Sequence, residues 1–131
     1  MQTLGPLVER IELDVTDEKS VNKAIERVIQ EAGRIDILIN NAGVSSAIGP
    51  AAEVSLDRIK SNFETNFFGL IRVTQAALKH MIPQAKKDKK KAGMIVQIGS
   101  VAGYGGVPYS AAYSATKCDF CFLSSCPKDQ N

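Results

Sequence analysis

The chain has 131 residues, of which 44% are hydrophobic and 23% are charged, and its formal net charge is +2. This length allows one domain with a modest core, and the composition is that of an ordinary globular protein. So small a net charge gives no support for nucleic-acid binding. No uncharged stretch reaches the ~20 apolar residues that a bilayer span requires. We therefore expect neither a nucleic-acid partner nor a membrane segment in this chain.

The first half of the chain predicts a strand, a helix and a second strand. Residues 8–15 alternate apolar and polar side chains, which predicts a half-buried strand. The next apolar side chains recur at helical spacing, with Thr16 or Asp17 as the predicted N-terminal cap and Gly33 as the C-terminal cap. Residues 35–40 are nearly all apolar, which predicts a buried parallel strand.

The second half predicts a long helix and a third strand. After a loop at 41–50, Ser55 opens a helical pattern that Pro83 is predicted to end. The lysine-rich residues 86–91 are interpreted as a solvated connection, with a nucleic-acid patch as the weaker alternative. Residues 94–98 predict a third strand, followed by a glycine-rich segment. Alternating strands and helices with apolar strands predict the α/β class, with helices covering a parallel sheet.

The three cysteines lie together near the end of the sequence. Cys118 and Cys121 have the spacing of half a zinc site, but a structural site needs four ligands and the single histidine lies on another predicted helix. We therefore expect no metal site. The composition changes abruptly after Lys117, so we predict a domain over residues 1–117 and an irregular tail over 118–131.

Tyr113-Ser-Ala-Thr-Lys117 is the most informative stretch of the sequence. Residues four apart lie on one face of a helix, so an ammonium at 117 can favour the phenolate form of a tyrosine at 113. A tyrosine held in this way can donate or accept a proton near neutral pH. Ser100 lies thirteen residues upstream of Tyr113, and Asn66 lies further back in Asn-Phe-Phe-Gly. Asn-Asn-Ala-Gly at 40–43 completes a set that is far more specific than the Tyr–Lys pair alone.

These motifs, in this order, resemble the short-chain dehydrogenase/reductase family over residues 8–117. The resemblance implies part of a Rossmann-like, doubly wound parallel sheet: three strands with covering helices, without the family's first two strands or its C-terminal strands. It places the three strands third, fourth and fifth in the family's sheet, where the third and fourth are not neighbours. It also implies that the longer parent is an NAD(P)-dependent oxidoreductase and a homo-oligomer.

The resemblance assigns a role to each motif residue. Tyr113 is the implied general acid and base, Lys117 holds the nicotinamide ribose and stabilises the phenolate, and Ser100 binds the reacting oxygen. Asn66 is implied to position a water that links Lys117 to solvent. The implied catalytic residues are thus Ser100, Tyr113, Lys117 and Asn66, and the implied cofactor-binding residues are Asp14, Asn40, Ala42, Gly43, Tyr113 and Lys117.

Simpler roles stay open for four of these residues. Ser100 could be only a helix cap, Asn66 an ordinary mid-helix asparagine, Asn40 mainly structural, and Asp14 a helix-entry residue that does not touch the adenine. The family's glycine-rich phosphate turn, Thr-Gly-x-x-x-Gly-x-Gly, does not occur in this sequence. The choice between NAD and NADP therefore cannot be read, although the resemblance slightly favours NADP.

The resemblance also suggests a substrate, a location and an alternative function. The expected substrate is a small-molecule carbonyl or alcohol, and the motifs look like those of acyl-dihydroxyacetone-phosphate reductases and the related hydroxysteroid dehydrogenases. Residues 1–6 lack the features of a signal peptide, so a cytoplasmic location is expected, with a membrane anchor elsewhere in the parent left open. The alternative hypothesis is a catalytically inactive fragment, at most an interaction module for a full-length partner.

Overall fold

The computed structural model describes residues 8–87 and 93–123, with side chains as far as Cys118. Its elements are helix α1 (Glu18–Ala32), strand β1 (Ile37–Asn40), helix α2 (Leu56–Phe63), a π-helical segment (Glu64–Gly69), helix α3 (Leu70–Lys87), strand β2 (Met94–Gln97), a 3₁₀ turn (Val101–Gly103) and helix α4 (Ala111–Leu123). No helix within the described ranges combines the length and the hydropathy that a membrane span needs.

Strands β1 and β2 form a parallel two-stranded sheet, which confirms the predicted α/β class. Ile37 lies opposite Met94 and Asn40 lies opposite Gln97, so both strands end at the same edge of the sheet. Helices α1 and α3 cover one face. The core lies between these helices and the sheet, and its buried side chains are Val21, Ile25, Ile35, Val73, Ala76, Ala77 and Met81.

The strand predicted over residues 8–15 does not form, so the described sheet has two strands rather than the predicted three. An alternating pattern becomes a strand only where a neighbouring strand completes its hydrogen bonds. Among the described residues, no strand lies beside this segment to complete those hydrogen bonds. Side chains hold it instead: Arg72 Nη1 donates to the Val15 carbonyl at 2.6 Å. A Cβ added at Gly69 would lie 2.7 Å from Val15 Cγ2, so the Val15 side chain packs directly against the backbone at Gly69.

The predicted ends of α1 are confirmed. Asp17, rather than Thr16, is the N-terminal cap, because its carboxylate accepts from the Lys19 N–H at 3.0 Å. Gly33 ends the helix in the left-handed conformation, with φ of 73°, and its N–H donates to the Ile29 carbonyl at 2.9 Å. A residue with a side chain would be strained at this φ, which is why glycine terminates the helix here.

Asp17→Ala should lower the free energy of unfolding by about 1 kcal/mol, because it removes the acceptor that satisfies a first-turn N–H. Ser55→Ala is the matched control, since Ser55 precedes α2 without a side-chain hydrogen bond to it. Urea unfolding followed by circular dichroism compares the two variants. Equal losses would show that the Asp17 hydrogen bond contributes nothing specific.

Pro83 does not end the long helix, contrary to the sequence prediction. Helix α3 continues through it to Lys87. Gln84, in the turn beyond the proline, holds this part of the helix against the start of β1. Its side chain accepts from the Ile35 N–H at 3.2 Å and donates to the Ile35 carbonyl at 3.0 Å. This anchor compensates for the backbone donor that proline lacks.

The tail predicted to be irregular begins as a helix, because α4 runs on without a break from Lys117 to Leu123. Residues 124–131 lie outside the described residues, so the rest of that prediction stays a prediction. The Cys118 side chain is exposed, and the side chains of Cys121 and Cys126 lie outside the described part. Among the described residues, no three His, Cys, Asp or Glu side chains converge to hold a metal ion.

Candidate active site

The predicted catalytic residues lie on elements that follow the carboxyl ends of the two strands. The loop after β1 carries Ala42 and Gly43, and the segment after β2 carries Ser100. Helix α4, which carries Tyr113 and Lys117, packs against the 3₁₀ turn and against α2. In open parallel sheets, ligands bind in the crevice outside the carboxyl ends of the strands.

Tyr113 and Lys117 lie one turn apart on α4, as their spacing predicts. Lys117 is only 5% exposed, which is unusual for a lysine. Its Nζ donates to the Ile98 carbonyl, just beyond β2, at 2.9 Å. The same Nζ lies 5.8 Å from the centroid of the half-buried Tyr113 ring, within the range of a cation–π contact. The fold therefore holds a buried cation beside the candidate catalytic phenol.

Ser100 caps the 3₁₀ turn, which fits its structural alternative, and its predicted catalytic role stays a prediction. Its Oγ accepts from the Ala102 N–H at 3.2 Å and so caps the 3₁₀ turn. This bond uses a lone pair and leaves the hydroxyl proton to donate. Gly103 ends the turn directly against α4, where an added Cβ would lie 2.6 Å from the Lys117 carbonyl oxygen. The segment that carries Ser100 is thus packed on the backbone of the Tyr–Lys helix.

Asn66 is fully buried in the π-helical segment, and its amide binds the Val44 backbone and the Thr116 side chain. Nδ2 donates to the Val44 carbonyl at 2.8 Å and to Thr116 Oγ1 at 3.0 Å, and Oδ1 accepts from the Val44 N–H at 2.7 Å. Its side chain therefore ties the loop after β1 to α4. The predicted role in positioning a water stays a prediction. Short π-helical segments are frequent at functional sites, and this one sets the direction of Asn66.

Asn40 and Asp14 make hydrogen bonds that fit their structural alternatives. Asn40 is buried at the end of β1, and its Nδ2 donates to Thr74 Oγ1 on α3 at 2.9 Å. Asp14 lies exposed in the turn before α1, where its Oδ1 accepts from the N–H and the hydroxyl of Thr16, both at 2.8 Å. Cofactor binding by either residue stays a prediction.

The pKa of Asp14 lies below its ordinary value, first because of the Thr16 N–H, then the Thr16 hydroxyl, and last the positive charge of Arg72. The carboxylate is thus favoured in the folded chain. Its contribution to stability is complete above the ordinary pKa of about 3.9 and is lost as the pH falls through the lowered folded value.

Thr16→Val should raise the pKa of Asp14 part of the way towards its ordinary value, because it removes the hydroxyl donor and keeps the N–H. Arg72→Met should raise it less, since Arg72 is the weakest of the three causes. An NMR titration of the Asp14 carboxyl carbon measures both. A larger rise in the Arg72 variant would contradict this order of causes.

Sequence reasoning missed three residues that assemble the site: Thr116, Gly103 and Asn62. Thr116 is fully buried and links Asn66 to the Tyr113 carbonyl, to which its hydroxyl donates at 2.8 Å. The sequence carries no clear signal for Thr116 or Asn62, since a threonine within a helix and an asparagine one turn before another look unremarkable. The Gly-Ser-x-x-Gly spacing at 99–103 could have indicated a close approach at Gly103.

Comparison with known proteins gives the fold and the family that the sequence motifs indicate. The sequence profile of the family described as short chain dehydrogenase matches residues 1–129. A 3-ketodihydrosphingosine reductase of Bacteroides thetaiotaomicron is 40% identical over 111 residues, which cover 84% of this chain and 38% of the relative. The chain thus spans well under half of the length of this relative.

Two solved structures show the same architecture with nicotinamide cofactors. ElxO with NADP bound superposes with a TM-score of 0.76 and 38% identity, over 85% of this chain and 42% of ElxO. NAD⁺-bound xylitol dehydrogenase superposes with a TM-score of 0.77 and 33% identity, over 85% of this chain and 40% of that enzyme. Fold and site together define part of a Rossmann-like domain. The chain belongs to the short-chain dehydrogenase/reductase family.

Proposed function

We propose that this chain carries the catalytic segment of an NAD(P)-dependent oxidoreductase that moves a hydride between the nicotinamide and a carbonyl or alcohol substrate. One observation carries the proposal: Lys117 is buried one turn from Tyr113, on the helix against which the Ser100 turn packs. A buried ammonium beside a phenol is an arrangement for proton transfer rather than for stability alone.

Each residue of this group has a separate task in the proposal. Tyr113 exchanges a proton with the substrate oxygen, and Lys117 holds the nicotinamide ribose. Ser100, whose oxygen already accepts from Ala102, donates its hydroxyl proton to the same substrate oxygen. Asn66 holds the loop after β1 against α4. The bound nicotinamide supplies or accepts the hydride, while the protein orients the reactants and moves the proton.

The described residues fit the nicotinamide end of the cofactor. The loops after both strands start from one edge of the sheet, and Gly43 lies near Lys117, where an added Cβ would be 3.7 Å from Nζ. Ala42, Gly43, Tyr113 and Lys117 would hold that end. The sequence contains no glycine-rich turn for the pyrophosphate, so this part of the cofactor would need other residues. NADP and NAD both remain candidates, since ElxO is seen with NADP and xylitol dehydrogenase with NAD⁺.

The proposed substrate is a carbonyl compound with a long apolar chain, such as an acyl-dihydroxyacetone phosphate. The segment after β2 exposes Val101 and Tyr104, at 85% and 87%, directly after Ser100. The loop after β1 exposes Val44 and Ile48 and is joined to the other segment by a hydrogen bond from the Gly49 N–H to the Tyr109 carbonyl at 2.8 Å. Apolar side chains on both loops suit an apolar substrate. A 3-ketodihydrosphingosine reductase among the relatives supports this class.

The second candidate function is a non-catalytic interaction module for a full-length partner. Strand β1 pairs with β2 on one edge only among the described residues, and Ile37 and Ile39 are 58% and 59% exposed. A cavity of about 190 Å³ lies between Ile39 and Leu13. An unpaired apolar edge of this kind is a site for strand pairing with another chain.

The homo-oligomeric state of the longer parent and its cytoplasmic location stay predictions.

A titration of NADPH, and then of NADH, into the purified 131-residue chain separates the two candidate functions. Saturable binding at micromolar concentration, followed by nicotinamide fluorescence, supports the oxidoreductase. Lys117→Met should weaken that binding, whereas the control Lys79→Met, at an exposed lysine on α3, should leave it unchanged. Absence of binding up to millimolar concentration would overturn catalysis by this chain alone and favour the interaction module.

A further inference from the structure

Three polar side chains, one helical turn apart, hold the loop after β1. Arg58 donates through Nη2 to the Ser46 carbonyl. Asn62 accepts through Oδ1 from the Ser46 N–H at 3.1 Å and from the Ser46 hydroxyl at 2.6 Å. Asn66 binds both backbone groups of Val44. Of the three, only Asn66 has a role in the proposed function.

Asn62 is fully buried, and only one half of its amide is used. Its orientation is fixed, because the Ser46 backbone N–H requires an oxygen and not a second donor. Nδ2 is left buried without a hydrogen-bond partner among the described residues. An unpaired buried donor is unfavourable, whereas leucine would bury none. The two hydrogen bonds that Oδ1 accepts from Ser46 therefore explain why this position holds an asparagine.

The loop that Asn62 holds includes Gly43, which lies near the Lys117 side chain. A Cβ added at Gly43 would lie 3.4 Å from Asn66 Oδ1 and 3.7 Å from Lys117 Nζ. Gly43 therefore lies close to both side chains, since a single methyl group there would reach van der Waals distance of each. A shift of about an ångström in residues 43–46 would change the surroundings of the Lys117 ammonium.

We propose that Asn62 is a positioning residue: by holding Ser46 it fixes residues 43–46 near Lys117 and so sets the environment in which that lysine serves Tyr113. The importance of this geometry for catalysis rests on the proposed function. The geometry itself does not, because Asn62 contacts neither Tyr113 nor Lys117 in the hydrogen bonds described. It acts through Ser46 and the loop backbone.

The test follows two reporters that Asn62 does not touch: the side-chain NMR resonances of Lys117 and the amide hydrogen exchange of Val44. In the 131-residue chain, Asn62→Leu should shift the Lys117 side-chain resonances and speed hydrogen exchange of the Val44 amide at least tenfold. Exchange at Val21, in the core of α1, should stay unchanged. Unchanged reporters would overturn the proposal, as would equal acceleration at Val21, because that pattern indicates a general loss of stability.

A pair of variants at Ser46 keeps the test decisive if Asn62→Leu does not fold. Ser46 is exposed, so its replacement is mild. Ser46→Ala removes only the 2.6 Å hydroxyl bond and should move both reporters in the same direction, while Ser46→Thr keeps a hydroxyl and should restore them. Ser45→Ala is the neighbouring control and should change neither. Reporters that stay still in Ser46→Ala overturn the proposal.

This experiment uses no cofactor and no substrate, so its outcome is independent of the nicotinamide titration. If the Lys117 resonances and the Val44 exchange rate stay unchanged while the cofactor binds saturably, the positioning role of Asn62 is rejected. The proposed oxidoreductase function is then unaffected. Moved reporters without cofactor binding would keep Asn62 as the residue that fixes the loop. That result would contradict the proposed oxidoreductase function of this chain, but not the role of Asn62.

Discussion

Tyr113→Phe should lower the rate of hydride transfer by a factor of about 10²–10⁴, the usual contribution of a positioned general acid. The variant loses only the phenolic O–H and keeps the ring that Lys117 Nζ approaches to 5.8 Å. Cofactor binding should stay saturable but become weaker, because Tyr113 is also one of the residues proposed to hold the nicotinamide end. Single-turnover oxidation of bound NADPH by a long-chain ketone measures the chemical step without product release.

Tyr109→Phe is the matched control for this prediction. Tyr109 is 65% exposed and has no lysine four residues later, so its hydroxyl should not affect the rate. Equal rates in the Tyr113 variant and the unmodified chain would remove Tyr113 as the proton donor. Lost cofactor binding, with no separate effect on the chemical step, would make Tyr113 a binding residue instead.

The local elements could be predicted because their causes lie close together in the sequence. Asp17 and Gly33 bracket α1 because a cap acts on backbone groups within one turn of itself. The Tyr113–Lys117 pair needs only the geometry of one helix. Strand β1 was recognisable as an apolar run, although its exposed Ile37 and Ile39 show that this chain buries only one face of it.

The failed predictions share a cause, which is dependence on distant partners. Residues 8–15 have the pattern of a strand, but no neighbouring strand in the described chain completes their hydrogen bonds. Pro83 would end an isolated helix, yet Gln84 is bonded to Ile35, 49 residues away. Asn62 acts on Ser46 across a loop. None of these partners can be read from the residues that surround them.

The site depends most on contacts between backbones, which no side-chain pattern reveals. Ser100, on one segment, and the Tyr–Lys pair, on another, can share a substrate oxygen only if the 3₁₀ turn approaches α4 closely. Gly103 makes that approach, because a Cβ there would lie 2.6 Å from the Lys117 carbonyl oxygen and 2.9 Å from its carbonyl carbon. Backbone atoms within a helix cannot move aside as a flexible side chain can.

Gly103→Ala should therefore lower the free energy of unfolding by about 1–3 kcal/mol, the usual cost of forcing one extra methyl group into a packed contact. Gly105→Ala is the matched control from the same segment, since a Cβ there meets no atom within 4 Å. It should change stability by less than about 0.5 kcal/mol. Urea unfolding of both variants gives the comparison, and equal midpoints would show that the segment yields easily at Gly103.

The Gly103 variant also tests whether stability and catalysis depend on the same contact. If the methyl group pushes the 3₁₀ turn away from α4, Ser100 moves relative to Tyr113, and a misplacement of about 1 Å in a reacting group can cost about 10²-fold in rate. The rate should then fall in conditions where the variant is still fully folded. A variant that is destabilised but retains its full rate would mean that Ser100 keeps its place when this contact is disturbed. The proposed sharing of the substrate oxygen would then not depend on the Gly103 approach.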